Sequence, residues 1–226
     1  MKYKNITEGV FRSRPNRFIA EVKIEDEICI CHVKNTGRCK ELLIPGVTVF
    51  LEKSDNPSRS TKYDLVAVKK GEMLINVDSQ APNKVIYEWI KEEKFFKNIT
   101  CFKPESRYGT SRFDLYLEAD GERIFAEVKG VTLEENGVVM FPDAPTERGV
   151  KHVGELINAV KEGYKAYVFF VVQMEQCKYF TPNRRTHPQF ADALRSAAEQ
   201  GVSVIVLNCS VTPDSIKIKD FVPFLL

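Results

Sequence analysis

The stretch 111-SRFDLYLEADGERIFAEVKGVTL-133 decides how the chain is built. Asp120-Gly121 is a strong two-residue hairpin signal, because both central residues of such a turn take positive φ. It joins two runs of strand character, residues 112–118 and 123–131. On the second run Phe125, Glu127 and Lys129 share one face, and Ile124, Ala126 and Val128 share the other. On the first, Asp114 alternates with Phe113 and Leu115. Closing the hairpin can bring Asp114 beside Glu127 across the ladder. Two adjacent carboxylates repel and raise each other's pKa. A divalent cation relieves that repulsion, and hard oxygen ligands suit Mg²⁺ or Mn²⁺. Lys129 can then hold a water or stabilise charge on a phosphoryl oxygen.

Outward from the hairpin, the order of elements frames it. Asn83 can cap a helix whose Val85, Ile86, Trp89 and Ile90 fall on one face. A strand over residues 100–107 leads through Gly109 into the hairpin. A helix over residues 147–162 follows, ended by Gly163. The apolar run 166–172 reads as a fully buried strand. Phe190, Ala193, Leu194, Ala197 and Ala198 mark another helix, stopped by Gly201 before a strand at 202–207. From residue 81 the order is α-β-β-β-α-β-α-β, an α/β domain with a mixed sheet covered by helices. The first eighty residues differ. Short strands at 18–24, 27–32, 47–52, 63–69 and 72–77 are separated by turns such as Asn35-Thr36-Gly37 and Pro45-Gly46. A small antiparallel barrel is their natural closure. The polar loop 53–62 demands no role, and Leu225 and Leu226 are expected to pack.

The tetrapeptide Ala-Glu-Val-Lys occurs twice, at residues 20–23 and 126–129. Only the later copy lies in a hairpin flanked by helices, so the chemistry is assigned there. Of 226 residues, 43% are hydrophobic and 28% charged, as in an ordinary globular protein. The longest apolar run is far too short to span a bilayer, and the first residues lack a secretory apolar stretch, so a cytoplasmic protein without membrane association is expected. The net charge of +2 excludes a strongly basic protein. It divides unevenly: residues 1–80 hold 14 Lys and Arg against 11 Asp and Glu, and residues 81–226 hold 19 against 20. The six cysteines are expected to be reduced. Cys29, Cys31 and Cys39 with His32 form a cluster without any C-x-x-C pair, so zinc is disfavoured there.

The E-x-K hairpin in its α-β-β-β-α-β frame resembles the PD-(D/E)xK nuclease superfamily. HVKNTGRCKELLIPG (32–46), YGTSRFDLYLE (108–118), AEVKGVTL (126–133) and FPDAPTERGVKHVGEL (141–156) are more specifically similar to the sugar fermentation stimulation protein family. That resemblance covers essentially the whole chain. It implies an OB-like barrel over residues 1–80, a nuclease-like α/β domain over 81–226, and sequence-non-specific DNA binding linked to regulation of sugar metabolism. By this likeness Asp114, Glu127 and Lys129 are the catalytic residues, with Asp114 and Glu127 the metal ligands. Phe113 stands where the superfamily motif has proline, a position with no chemical role.

Around that core, Asp143 or Thr146 can cap the helix at 147. Its start can turn N–H groups, Arg148, Lys151 and His152 toward a phosphate. Glu147 and Glu155 read as helix-surface partners of Lys151. Glu105 is a candidate for a further metal oxygen. In the barrel, Phe11, Arg12, Arg14, Arg17 and Phe18 combine cations with aromatic faces, and Arg38 and Lys40 can extend that surface for nucleic acid. The expected function is therefore DNA binding with a metal-dependent nuclease-like site. The alternatives are an active Mg²⁺- or Mn²⁺-dependent phosphodiesterase on DNA or RNA, and a regulator without catalysis. A homo-oligomer is compatible with either.

Overall fold

The computed structural model describes residues 1–35, 37–92 and 95–226, so Thr36 of the expected Asn35-Thr36-Gly37 turn lies outside the described residues. The N-terminal part is a five-stranded closed barrel of the OB type. Its strands are β1 (Ile6–Asn16), β2 (Ile19–Ile24), β3 (Glu27–Val33), β4 (Thr48–Lys53) and β5 (Tyr63–Lys70). β1 lies between β2 and β4, and β5 closes the ring by pairing parallel to β3 at Cys31↔Tyr63 through Val33↔Leu65. β6 (Met73–Asn76) extends the sheet from β5. Phe11, Val22, Cys31, Leu51 and Leu65 fill the interior.

β1 starts twelve residues before the expected first strand at 18. Its inward signal rests on Gly9 and Phe11 alone, with charged and polar residues elsewhere and Pro15 near an irregular end. Gly9 is needed for close packing, since a Cβ there would lie 2.6 Å from Val22 Cγ1. Proline is tolerated at such a strand end. The loop at 53–62 also has a role: Arg59 makes a two-pronged bond to Asp64 (Nη1–Oδ2 3.0 Å, Nη2–Oδ1 2.6 Å).

The remainder is a mixed α/β sheet domain. α1 (Ala81–Lys91) leads to β7 (Cys101–Tyr108), β8 (Ser111–Ala119) and β9 (Glu122–Val131). A hairpin of β10 (Leu133–Glu135) and β11 (Val138–Phe141) precedes α2 (Glu147–Lys161). Then come β12 (Lys165–Val172), β13 (Tyr179–Pro182), α3 (Pro188–Glu199), β14 (Ser203–Thr212) and β15 (Ser215–Phe221). The main sheet runs β15-β14-β12-β9-β8-β7, with β9, β12 and β14 mutually parallel. Phe169 and Val171 of β12 pack toward Val85, Ile86 and Trp89 of α1, whereas Val168 and Phe170 pack toward Leu156 of α2 and Leu194 of α3. The sheet is thus covered on both faces.

β10, β11, β13 and β15 go beyond the expected order. β10 and β11 turn at Asn136 (φ 54°) and Gly137 (φ 87°), so the Asn-Gly pair was an available hairpin signal. The cap of α1 is also corrected. Helical residues begin at Ala81, with Pro82 in the first turn, which leaves the Asn83 side chain free for another task. Thr146 caps α2 as expected, its Oγ1 accepting from Gly149 N–H at 3.1 Å. Leu226 packs against the core as expected, whereas Leu225 is largely exposed, although its N–H bonds Phe180 O of β13. Among the described residues no helix is long and apolar enough to cross a membrane.

A buried polar junction fixes the barrel to the sheet. Gln173, just after β12, donates from Nε2 to Asn76 O (3.1 Å), Asn76 Oδ1 (2.9 Å) and Asp78 O (3.0 Å). Gly130 permits this approach, since a Cβ there would meet Gln173 Oε1 at 2.5 Å and Pro82 Cγ at 2.8 Å. On the barrel side, Lys34 bonds Asp64 at 3.0 Å and lies within 3.9 Å of Asp78. Burial pushes the Asp64 carboxyl up, but Arg59, Lys34 and His32 outweigh it and hold it at about 2. A depressed carboxyl stabilises the fold above its unfolded pKa, and that contribution is lost as pH falls through the folded value. Urea unfolding should therefore show wild type exceeding Asp64→Asn by about 2 kcal/mol at pH 5, a margin that shrinks between pH ~4 and ~2. A margin independent of pH over that interval would show that the ion pairs contribute nothing.

Candidate functional site

The two-residue turn at Asp120 (φ 54°) and Gly121 (φ 78°) sets β8 against β9 from Ala119↔Glu122 to Leu115↔Ala126. The regular ladder ends there. Asp114 Oδ2 accepts the next available β9 donor, the Val128 N–H, at 2.8 Å. A carboxylate thus takes the place of a backbone carbonyl where the strands part. Its other oxygen accepts from Asn83 Nδ2 at 3.0 Å, and Tyr87 donates its hydroxyl to the Asp114 carbonyl at 2.6 Å. Asn83 and Tyr87 lie four apart on α1, so one helix face fixes both the side chain and the backbone of Asp114. Neither was expected at the site. The i,i+4 polar pair beside the apolar stripe of α1 was the sequence signal for them.

Glu127 projects from β9 on the α2 side and is 3% exposed. Its Oε1 receives Lys129 Nζ at 2.5 Å and His152 Nδ1 at 2.6 Å. Arg148 Nε donates to His152 Nε2 at 3.3 Å, so Nδ1 carries the ring proton toward Glu127. Arg148 and His152 are one helical turn apart, and the structure brings both to the site. Glu127 Oε2, by contrast, is buried without a hydrogen-bond partner.

The two carboxyls are pushed in opposite directions. For Asp114, burial and then the charge of Glu127 raise the pKa, against the restraint of Val128 N–H and Asn83. For Glu127, burial raises it, but His152 and Lys129 prevail and the carboxyl lies below its usual range. Paired carboxyls separated in this way are a recurrent feature of sites that handle protons or cations. The donor set fits a hard divalent cation: an unpartnered buried carboxylate oxygen beside a second carboxylate whose charge is disfavoured. Among the described residues no group of three or more His, Cys, Asp and Glu side chains converges to hold an ion. Such a cation would draw on Asp114 and Glu127, with water or phosphate oxygens completing its shell, as is usual for Mg²⁺.

Other expected residues are placed differently. Lys151, 57% exposed, points outward from α2, since it is rotated about 100° from His152 on the helix, and reaches the largely buried Glu155 at 3.8 Å. Glu147 pairs with His187 at 3.2 Å. Glu105 is opposite Asp114 in the β7–β8 register, but its exposed side chain reaches Arg112 at 3.4 Å. Asp143 packs against the barrel loop, where a Cβ on Gly37 would be 2.6 Å from Asp143 Oδ2. It has no hydrogen bond to Asp114, Glu127 or Lys129.

In the barrel two residues are corrected. Phe11, 1% exposed, belongs to the core because its alternation points it inward, and it offers no face to a base. Arg14 is a structural clip. Its Nη1 donates to Gly37 O (2.9 Å) and Arg38 O (2.7 Å), and its Nη2 to Arg17 O (2.7 Å) and Asn35 O (2.6 Å). Those bonds hold Asn35, Gly37 and Arg38 against the β1–β2 turn, and Arg17, Arg38 and Lys40 consequently share a groove of about 300 Å³ with Asn16 and Leu43. Arg12 is exposed on β1 outside that groove. Phe18 is 43% exposed beside it, with Arg17 Cζ 4.8 Å from its ring centroid.

Comparison with known proteins agrees with this architecture. A family model described as the SfsA N-terminal OB domain matches residues 13–77, and one described as the sugar fermentation stimulation protein RE domain matches residues 80–215. The sugar fermentation stimulation protein homolog of Clostridium beijerinckii is 57% identical over 226 residues, the full length of both chains. That of Desulfitobacterium hafniense strain Y51 is 61% identical over 222 residues, 98% of this chain and 97% of the relative. Among solved structures, Pyrococcus furiosus SfsA in complex with Ca²⁺ superposes with a TM-score of 0.91 at 27% identity, covering 100% of this chain and 98% of that one. With a barrel and a mixed α/β domain in the same order as these relatives, the chain belongs to the sugar fermentation stimulation protein family.

Proposed function

We propose that this protein binds DNA and hydrolyses phosphodiester bonds at Asp114, Glu127 and Lys129 with a divalent cation. One observation carries the catalytic half: both partners of Glu127 bond Oε1, while Oε2 is buried without a partner among the described residues, in a carboxyl whose charge is felt by Asp114. An unsatisfied buried acceptor costs about 1–3 kcal/mol, more when charged, and a purely structural ion pair gains nothing from it. The Ca²⁺ bound by Pyrococcus furiosus SfsA supports a divalent ion for this chain too. Mg²⁺ or Mn²⁺ held by Asp114 and Glu127 would lower the pKa of a coordinated water and offset charge on the phosphoryl oxygens. The chain's own groups do the rest. Lys129, held at Glu127 Oε1, is positioned to donate to the attacking water or to a phosphoryl oxygen. His152 anchors Glu127 from the α2 side, and Arg148, bonded only through Nε, keeps its terminal nitrogens for a phosphate. Arg17, Arg38, Lys40 and Phe18 supply the barrel's cations and stacking face, which makes residues 1–80 the DNA-holding part.

Incubation with single- and double-stranded DNA and RNA under Mn²⁺ or Mg²⁺ tests the site. Wild type should cleave at least about a hundredfold faster than Asp114→Asn or Lys129→Met. Mn²⁺ affinity by calorimetry should fall at least about tenfold in Asp114→Asn and Glu127→Gln. Binding without cleavage in any combination would remove the hydrolytic claim and leave a DNA-binding regulator.

The groove has its own test. Combining Arg17→Glu, Arg38→Glu and Lys40→Glu should weaken DNA binding and lower the slope of log K against log salt by about 2 to 3. An unchanged slope would place the DNA elsewhere. Arg14→Gln should instead lower the thermal midpoint, because it releases the loop.

A further inference from the structure

Where the barrel meets the sheet there is a cavity of about 110 Å³, lined by Asn35 and Ser79 from the barrel side and by Gly130, Phe141, Asp143 and Gln173 from the other, with the Gln173 Nε2 already donating to Asn76 and Asp78. Its size is several times the roughly 10–15 Å³ that one water requires on the same measure. Gly130 follows Lys129 on β9 but lies on the other face of that strand, where a Cβ would point toward Pro82 of α1 and Gln173. The polar groups of the cavity are unevenly employed. Asn35 is engaged on both side-chain ends, donating to Val77 O at 3.0 Å and accepting from Gly37 N at 2.7 Å, and its carbonyl accepts from Arg14. Ser79 Oγ donates to Lys34 O. The Asp143 carboxylate, in contrast, hydrogen-bonds to none of the described residues, and no cation pairs with it among them.

We propose that this cavity receives one unstacked nucleobase, with Phe141 and the neighbouring Met140 giving apolar contact and Asp143 accepting hydrogen bonds from the base. The proposal rests on reading the protein as a nucleic-acid binder, and it narrows the substrate to one with an unpaired or extruded nucleotide. Extruded bases are typically held in this manner, between apolar side chains and a polar group at the pairing edge. A carboxylate only accepts, so it selects bases with an exocyclic amino group. Guanine, adenine and cytosine carry one. Thymine presents a single N–H flanked by two carbonyl oxygens, and these are repelled. Gly37 and Arg38 line the basic groove while Asn35 lines this cavity and Gly37 abuts Asp143, so a strand held at Arg38 is already directed toward Asp143.

The test is titration calorimetry with dGMP, dAMP, dCMP and TMP, without added metal. Wild type should bind the three amino-bearing nucleotides saturably and TMP at least tenfold more weakly. Asp143→Asn, which keeps the side-chain shape, should abolish that preference, while Asp114→Asn should retain it. Thermal unfolding of Asp143→Asn within a few degrees of wild type establishes that the fold is kept. No saturable binding, equal affinity for all four nucleotides, or an unchanged preference in Asp143→Asn would each overturn the proposal. So would a Ca²⁺ stoichiometry that drops by one in Asp143→Asn, which would make the cavity a cation site. Failure of DNA binding or cleavage with the Asp143-dependent preference intact would count against the proposed function and leave the nucleobase site standing.

Discussion

The arrangement of this molecule depends on how one buried carboxylate is satisfied. Glu127 places both of its hydrogen bonds on a single oxygen, from Lys129 along the strand and from His152 across the sheet face. A carboxylate is easily accommodated in a core when both oxygens are bonded, and it is costly when one is not. The asymmetry is therefore maintained by the surroundings. α2 must be fixed in rotation so that His152, and not the neighbouring Lys151, faces β9. Thr146 fixes its start, and Gly149 in the first turn lies so close to Phe190 of α3 that a Cβ there would approach the ring at 3.3 Å.

The second carboxylate depends on a defect in the sheet. Asp114 can meet Val128 N–H because β8 and β9 stop pairing at Leu115↔Ala126. A regular ladder would have used that N–H for a carbonyl and left the side chain unanchored. α1 completes the setting by holding Asp114 through Asn83 and Tyr87. Burial pushes both carboxyls up, and only Glu127 has cationic and N–H partners enough to overcome it. The difference between the acids thus arises from their elements: one is fixed by neutral donors of α1 and the backbone, the other by a lysine and the α2 histidine.

Much of this was legible in the sequence, and what was not has identifiable causes. The hairpin was readable because Asp120-Gly121 is a local signal, and the two acids because strand alternation is strictly periodic. His152 and Arg148 were visible as a pair one turn apart near a helix start. Lys151 looked equivalent to them, since spacing from a cap does not reveal which helix face meets the sheet. Phe11 and Arg14 were misassigned for a related reason. Their strand carries its core signal on a glycine and one phenylalanine, so a basic, aromatic segment looked like surface, although alternation sends Phe11 inward. Asn83 was expected as a cap, and the proline beside it moved the helix start upstream. Asp143 lies close in sequence to the α2 residues yet faces the barrel, and only tertiary packing brings Gly37 against it.

That last contact gives the near-neutral charge its meaning. The barrel half is mildly basic and the rest slightly acidic, so the halves present different potentials to a polyanion. They are not free to move independently at the junction. Gln173 Nε2 donates to Asn76 and Asp78, Gly130 allows its approach, and Gly37 allows the approach of Asp143. At Gly130 a Cβ would also meet the Pro82 ring at 2.8 Å, so that position requires glycine for lack of space rather than for backbone freedom. A cation at the carboxylate pair would remove local negative charge where a phosphate must come nearest.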